Sequence, residues 1–198
     1  MPSGPLVLAF DTSAAHCAAA LRCGDQLLGQ RMELMTRGQA EQLMPLLEAL
    51  LTEHKMRWQD LSAIGVGIGP GNFTGIRIAV STARGLALGL GIPAVGVSGL
   101  EARNHDGVLP AVPAPRDQVY IAAPGEAPRL TSVIEAAEIA RGAGLAFAPE
   151  ASPTDLAARI AEIASVDFAD VTAPPAPLYL RPADAAPARD LPPRLLDD

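Results

Sequence analysis

The sequence is short of what staples, spans or grips. Cysteine is nearly absent: Cys17 and Cys23 are the only two in 198 residues, and 49% of the chain is apolar. A chain of this size buries a core, as one domain or two closely joined small ones, without disulfides to carry it. No stretch reaches the roughly 18 uninterrupted apolar residues of a membrane span. The nearest, residues 64 to 97, is broken by glycines and arginines and reads as strand, loop and helix. The opening MPSGPLVLAFDTS has neither the basic start nor the long apolar segment of a signal peptide. The expectation is a reducing, cytoplasmic location away from membranes. Positive charge is also short, with 15 Lys and Arg against 22 Asp and Glu and a net charge of -7. Phosphate backbones are gripped by clustered cations, so a broadly basic nucleic-acid surface is excluded, although a local patch is not.

What is present is periodic. PLVLAFDTSAAHCAAALRCGDQLLGQRMEL predicts three short strands, LVLAF, AHCAAALR and QLLGQRMEL, with Gly24-Asp25 turning between the last two. After Gly38 the period becomes helical: Leu43, Leu47 and Leu50 recur at i, i+4 and i+7, and Met44, Leu46 and Leu51 widen the stripe. Pro45 fits if the helix starts a residue or two before it, and costs about 3 kcal/mol if it lies deeper. LSAIGVGIG then reads as a strand, TGIRIAVSTARGLALGLG as a helix ended by Gly91 and Pro93, and AVGV as a strand. A meander followed by alternating strands and helices implies an α/β mixed sheet with helices packed on it. Beyond Val97, PAVPAP and VYIAAPG predict two strands, and IEAAEIARGAG and PTDLAARIAEIA predict short helices. The Pro-rich end holds one ordered-looking island, PLYLR.

The loop GIGPGNFTG joins strand to helix and could turn successive amides toward an anion. Gly69 and Gly71 supply positive φ, and Asn72 or Thr74 caps the helix. No lysine follows, so the Walker pattern is absent; Gly67 and Gly69 match the first two glycines of GxGxxG, but Asn72 stands in place of the third. Loop chemistry therefore favours a rigid turn over an anion site, and an anion site over a catalytic phosphate loop. Asp11, Thr12 and Ser13 end the first strand and either meet a phosphate or metal or cap a turn. Together with Gly71, Asn72 and Arg77 they form the candidate phosphate-binding set. Arg77 could bind an anion or a partner carboxylate, but a solvated or structural ion pair is the favoured reading for a single arginine.

Catalytic and metal constellations are missing. His16, His54 and His105 are dispersed, and His16 and Cys17, adjacent on a strand, point to opposite faces. His54 suits the C-terminal end of the first helix, and Ser98 suits a cap for a helix beginning near Leu100. The second helix carries Thr82, Gly85 and Gly89 at i, i+3 and i+7 as a face of small side chains, opposite Ile76, Val80, Ala83, Ala87 and Leu90. A glycine inside a helix costs about 1 kcal/mol, so two of them imply close backbone packing, against this chain or another. The wide stripe over 43 to 51 leaves room for a second chain.

LVLAFDTS, AEQLMPLLEALL, IGVGIGPGNFTGIRIAVSTARGLALGLGIPAVGVSGLEA and the terminal PLYLRP together resemble the TsaB family, strongly over residues 6 to 103 and weakly beyond. The resemblance implies an actin-like, ribonuclease H-like (ASKHA) fold with an N-terminal lobe over 1–103, a reduced C-terminal lobe over 104–182 and a Pro-rich tail over 183–198. It implies a non-catalytic subunit that binds TsaD for threonylcarbamoyladenosine formation at position 37 of transfer RNA. TsaE joins the assembly, and transfer RNA is contacted mainly through the complex. The two helices of the first lobe would hold TsaD or close a homodimer, which assigns partner binding to Leu43, Met44, Leu47, Leu51, Phe73, Ile78, Thr82, Gly85 and Gly89. No cofactor of its own is expected, with ATP or ADP placed at the joint with TsaD. The helical histidine pair of catalytic relatives is absent; Gln39 and Leu43 occupy that stretch. Pro113-Ala114-Pro115-Arg116 replaces the usual Asp-Ala-Arg-Arg. The competing reading is a small actin-like ATP hydrolase or phosphotransferase, which needs Asp11 at the glycine loop and a nucleotide clamp after Val97. A protease has no peptidase constellation to stand on.

Overall fold

The meander forms as the spacing of the turns predicts: β1 (Leu6–Asp11), β2 (His16–Cys23) and β3 (Gln26–Leu34) pair antiparallel in sequence order. In this computed structural model, which describes residues 4–180, β4 (Ala63–Gly67) adds parallel to β1, and β5 (Ala94–Val97) adds parallel to β4. The resulting order β3-β2-β1-β4-β5 is the mixed, ribonuclease H-like sheet. The expected tail over 183–198 lies outside the described residues.

Helices cover both faces, and the side-chain sizes decide which helix goes where. Leu6, Leu8 and Phe10 of β1 point with Ile64 and Val66 into a leucine-rich layer under α1 (Gln39–Glu53) and α2 (Phe73–Leu90). On the other side, Val7, Ala9, Ala18 and Ala20 meet Ala157, Ile160, Ala161 and Ala164 of α4 (Pro153–Asp167). These small residues let the helix approach closely. A Cβ on Gly65 would lie 3.0 Å from those of both Ala9 and Ala164. The segment PTDLAARIAEIA thus returns to the first sheet, which corrects the expectation that all of 104–182 builds the second lobe. Burying Leu156 and Ile160 there contributes on the order of 1.5–3 kcal/mol each.

The second, smaller unit is a three-stranded antiparallel sheet, β6 (Ala111–Ala114), β7 (Gln118–Ile121) and β8 (Arg129–Ser132), with α3 (Val133–Gly142) on it. Two of its strands are legible in the sequence; β8 is a four-residue strand, RLTS, too short for its alternation to register. Ser98 does cap, accepting from the Glu101 amide at 3.0 Å, but it opens a single tight turn over Glu101–Arg103 and not a helix.

Pro45 lies six residues inside α1, deeper than its chemistry favours. The proline faces solvent, and the opposite side of that turn buries Leu43, Leu46, Leu47 and Leu50. Four leucines at about 1.5–3 kcal/mol each outweigh a proline penalty of about 3 kcal/mol. His54 caps the C-terminal end, as expected.

Cys17 is sealed between β2 and α1, where its thiol meets the Gln39 carbonyl at 3.7 Å and Met35 Sδ at 3.8 Å. Burial, and then the charges of Glu33 and Asp11, push its pKa up to about 11. The unfolded thiol ionises near pH 9 or slightly below and the folded one near 11, so the native state holds more protons in that window. Stability should therefore fall as pH rises from about 9 towards 11, and Cys17→Ala should flatten that slope in denaturation midpoints taken across the range.

Candidate functional site

Two loops meet at the carboxyl ends of β1 and β4. Thr12 Oγ1 donates to the Gly75 carbonyl at 2.7 Å, and the Asn72 amide donates to the Ser13 carbonyl at 2.6 Å. Asn72, not Thr74, caps α2 by accepting from the Gly75 amide at 2.8 Å. Gly69 adopts φ 95°, a left-handed angle that glycine supplies without strain. Gly75 faces the Thr12 carbonyl so closely that no Cβ fits between them.

Asp11 is buried at this junction, where Gly67 leaves room for its carboxylate. It accepts from the Ser13 amide at 3.0 Å, from Ser13 Oγ at 2.9 Å and from His16 Nε2 at 2.8 Å. The sequence reading left His16 unassigned. Its signal was the turn between β1 and β2, which carries a histidine five residues beyond Asp11 back onto the carboxylate. His16 and Cys17 do point to opposite faces, His16 to Asp11 and Cys17 to α1.

Of the six candidate phosphate residues, Ser13, Gly71 and Asn72 line a hollow of about 330 Å³ shared with Pro113, Ala114 and Tyr120 of the second unit. Asp11 and Thr12 are committed to the junction described above. Arg77 points elsewhere: its Nε donates to Tyr179 Oη at 2.9 Å, and its guanidinium lies 3.8 Å from the centre of the Phe73 ring. Phe73 in turn stacks on Tyr179 with ring centres 4.9 Å apart. The PLYL island is thus a strap, anchored where the Leu178 amide donates to the Ile68 carbonyl at 2.8 Å. Tyr179→Ala removes one ring pair and one hydrogen bond from a half-exposed site and should cost about 1–2 kcal/mol, read from the urea midpoint.

The helices divide the candidate partner-binding residues. Leu43, Leu47 and Leu51 are buried against the chain's own sheet and cannot meet a partner, which corrects their assignment. The stripe is wide because α1 sits over β2 and β3, which cover its leucines. Phe73 is likewise engaged by the strap, while Met44 remains 39% exposed on α1. On α2, Gly75, Ile76, Ala79, Val80 and Ala83 face the core, and Ile78 and Thr82 are half-buried at the edge. Gly85 and Gly89 point outward, and a Cβ on either would touch nothing within 4 Å. The absence of a side chain at these two positions therefore serves no packing among the described residues. Between them stands Leu88, 86% exposed and missed by the sequence reading, although it falls three residues after Gly85 on the same stripe. A hollow of about 650 Å³ adjoins this face, lined by Arg84, Gly85, Leu88, Gly91, Pro93 and Pro175. An open backbone stripe, a bare leucine and an apolar hollow together make an exposed apolar face.

Among the described residues, no group of three or more His, Cys, Asp or Glu side chains is placed to hold a metal ion. Nor is any helix among them long and apolar enough to cross a membrane.

Comparison with known proteins agrees with this geometry. A family model described as TsaD, tRNA N6-adenosine threonylcarbamoyltransferase, matches residues 33–146. An uncharacterised protein of Mycobacterium tuberculosis is 37% identical over 204 residues, covering 91% of this chain and 94% of its own length. The tRNA threonylcarbamoyladenosine biosynthesis protein TsaB of Bacillus subtilis is 38% identical over 120 residues, 58% of this chain and 52% of that protein. Its Escherichia coli counterpart is 38% identical over 94 residues, 48% of this chain and 40% of that protein. The match thus spans about half the length of these TsaB proteins or less. The solved structure of YeaZ from Pseudomonas aeruginosa superposes with a TM-score of 0.68 at 25% identity, over 89% of this chain and all of that one. With the ribonuclease H-like sheet and the two loops that meet beside it, these matches establish that the chain belongs to the TsaB (YeaZ) family.

Proposed function

We infer that this chain is a non-catalytic accessory subunit of threonylcarbamoyladenosine formation on transfer RNA, and that it acts by docking TsaD on the outer face of α2. Membership of the TsaB family supports the pathway. The observation that carries the docking surface is the open stripe of Gly85, Leu88 and Gly89, which nothing among the described residues covers. Met44, Ile78 and Thr82 extend that surface. The same face closes a homodimer when TsaD is absent. TsaE joins the assembly, ATP or ADP sits at the joint with TsaD, and transfer RNA is gripped chiefly by the partners, in keeping with the net charge of -7. The location is the cytoplasm, where transfer RNA is modified.

The hydrolase alternative draws no support from the site. Its essential carboxylate, Asp11, is already bound by Ser13 and His16. Light scattering on this chain mixed with TsaD tests the reading: a single species with the summed mass of one copy of each is expected. Two unshifted masses at micromolar concentration would reject it.

A further inference from the structure

Three arginines share one unexplained feature. The Nε atoms of Arg22, Arg103 and Arg159 are shielded from solvent, and none has a hydrogen-bond partner among the described residues. Buried donors in folded proteins are nearly always satisfied, so an orphan donor marks a missing water or ligand. These three are the complete set of such side-chain atoms among the described residues, and all three side chains line one hollow of about 530 Å³. They reach it from different elements. Arg22 shares the α4 side of β2 with Ala18 and Ala20, Arg103 ends the turn after β5, and Arg159 projects from α4.

The arrangement of charge is graded from inside to outside. Arg159 Nη1 pairs with Glu162 at 2.8 Å, and Arg103 Nη1 donates to the Gly99 carbonyl at 2.9 Å. Neither Arg22 nor Arg103 has a carboxylate within ion-pair distance among the described residues, and the Arg22 side chain makes no hydrogen bond there. Burial lowers the pKa of Arg103, an effect opposed by the more distant charges of Asp11 and Glu150. The unpaired carboxylates, Glu150 and Asp155, stand exposed at the rim. Ser152, also at the rim, shares a hydrogen bond with Thr154 Oγ1 at 2.7 Å and does not cap the first-turn amides of α4 with its side chain. The three Nε atoms are shielded, Glu162 lies beside Arg159, and Glu150 and Asp155 lie where water screens them.

We propose that this hollow is a binding site for a small phosphate monoester, its phosphoryl group held by Arg22, Arg103 and Arg159 and its other end neutral or cationic beside Glu150 and Asp155. Guanidinium groups form strong charge-assisted bonds to phosphate, and the volume falls within the range of small-molecule sites. A second phosphate would meet the rim carboxylates, so polyphosphates are disfavoured. The site lies on the α4 side of the sheet, away from α2, and is independent of the docking of TsaD.

Inorganic phosphate and phosphoethanolamine are the probes, with succinate as the carboxylate control, all at constant ionic strength held by chloride. Nitrogen-15 NMR of the arginine side chains reads the site directly. Both phosphates should move the Nε–H resonances of Arg22, Arg103 and Arg159 saturably and raise Tm to a plateau. Phosphoethanolamine should bind more tightly than inorganic phosphate. Arg22→Met, which removes a guanidinium without breaking an internal bond, should weaken binding about tenfold or more while leaving assembly with TsaD intact. If Arg22→Met fails to fold, the Nε–H titration of the unaltered chain decides alone. Unmoved Nε–H resonances with a Tm rise linear in concentration would overturn the proposal and assign the hollow to water. Saturation by succinate without saturation by phosphate would overturn it as well.

Discussion

Gly75→Ala is expected to cost the fold about 3 kcal/mol or more. The added Cβ would collide with the Thr12 carbonyl, a backbone atom that no rotamer change can move aside. To make room, α2 must lift from the end of β1. That lift breaks the bond from Thr12 Oγ1 to the Gly75 carbonyl and the one from the Asn72 amide to the Ser13 carbonyl. Intrinsic helix propensity pulls the other way by only about 1 kcal/mol, so the clash dominates. Urea denaturation of Gly75→Ala beside Gly85→Ala separates the two effects. The first should lose stability and the second gain up to about 1 kcal/mol, because a Cβ at Gly85 meets open space.

Gly85→Leu should move folding and assembly in opposite directions. Leucine is a far better helix former than glycine, and nothing within 4 Å of the new Cβ opposes it, so the isolated chain should be slightly more stable. A bulky side chain on the small-residue stripe would hold another backbone away, and affinity for TsaD should drop by about a hundredfold or more, near 2.7 kcal/mol. Circular dichroism and thermal melting read the first change, and titration calorimetry with TsaD reads the second. A variant that is both less stable and less able to bind would point to misfolding, and not to a lost contact.

Much of the first unit was legible because its residues repeat with a clear period. Apolar runs between regularly spaced turns marked β1 to β3, and the spacing of Leu43, Leu47 and Leu50 marked α1. Periodicity says which face of an element is apolar but not what covers it. For that reason the leucines of α1 were assigned to a partner when β2 and β3 already cover them, and α4 was assigned to the wrong unit. The match of Ala157, Ala161 and Ala164 to Ala9, Ala18 and Ala20 was written in the sequence, but only the sheet order brings the two sets together. The site divided in the same way. A cap at Asn72 or Thr74 and a stripe of small residues followed from local chemistry, whereas the outward direction of Gly85 and Gly89 and the links from Asp11 to His16 and from Arg77 to Tyr179 depend on where distant segments cross.

The central claim is that the outer face of α2 is an unfilled docking surface. Hydroxyl-radical footprinting tests it most directly, because Leu88 and Met44 are exposed in the isolated chain and oxidise readily there. On addition of TsaD, the account predicts strong protection of Leu88 with partial protection of Ile78 and Met44, and no change at Ile134 on α3 or Val166 on α4. Protection of Ile134 or Val166 with Leu88 still freely oxidised would contradict it.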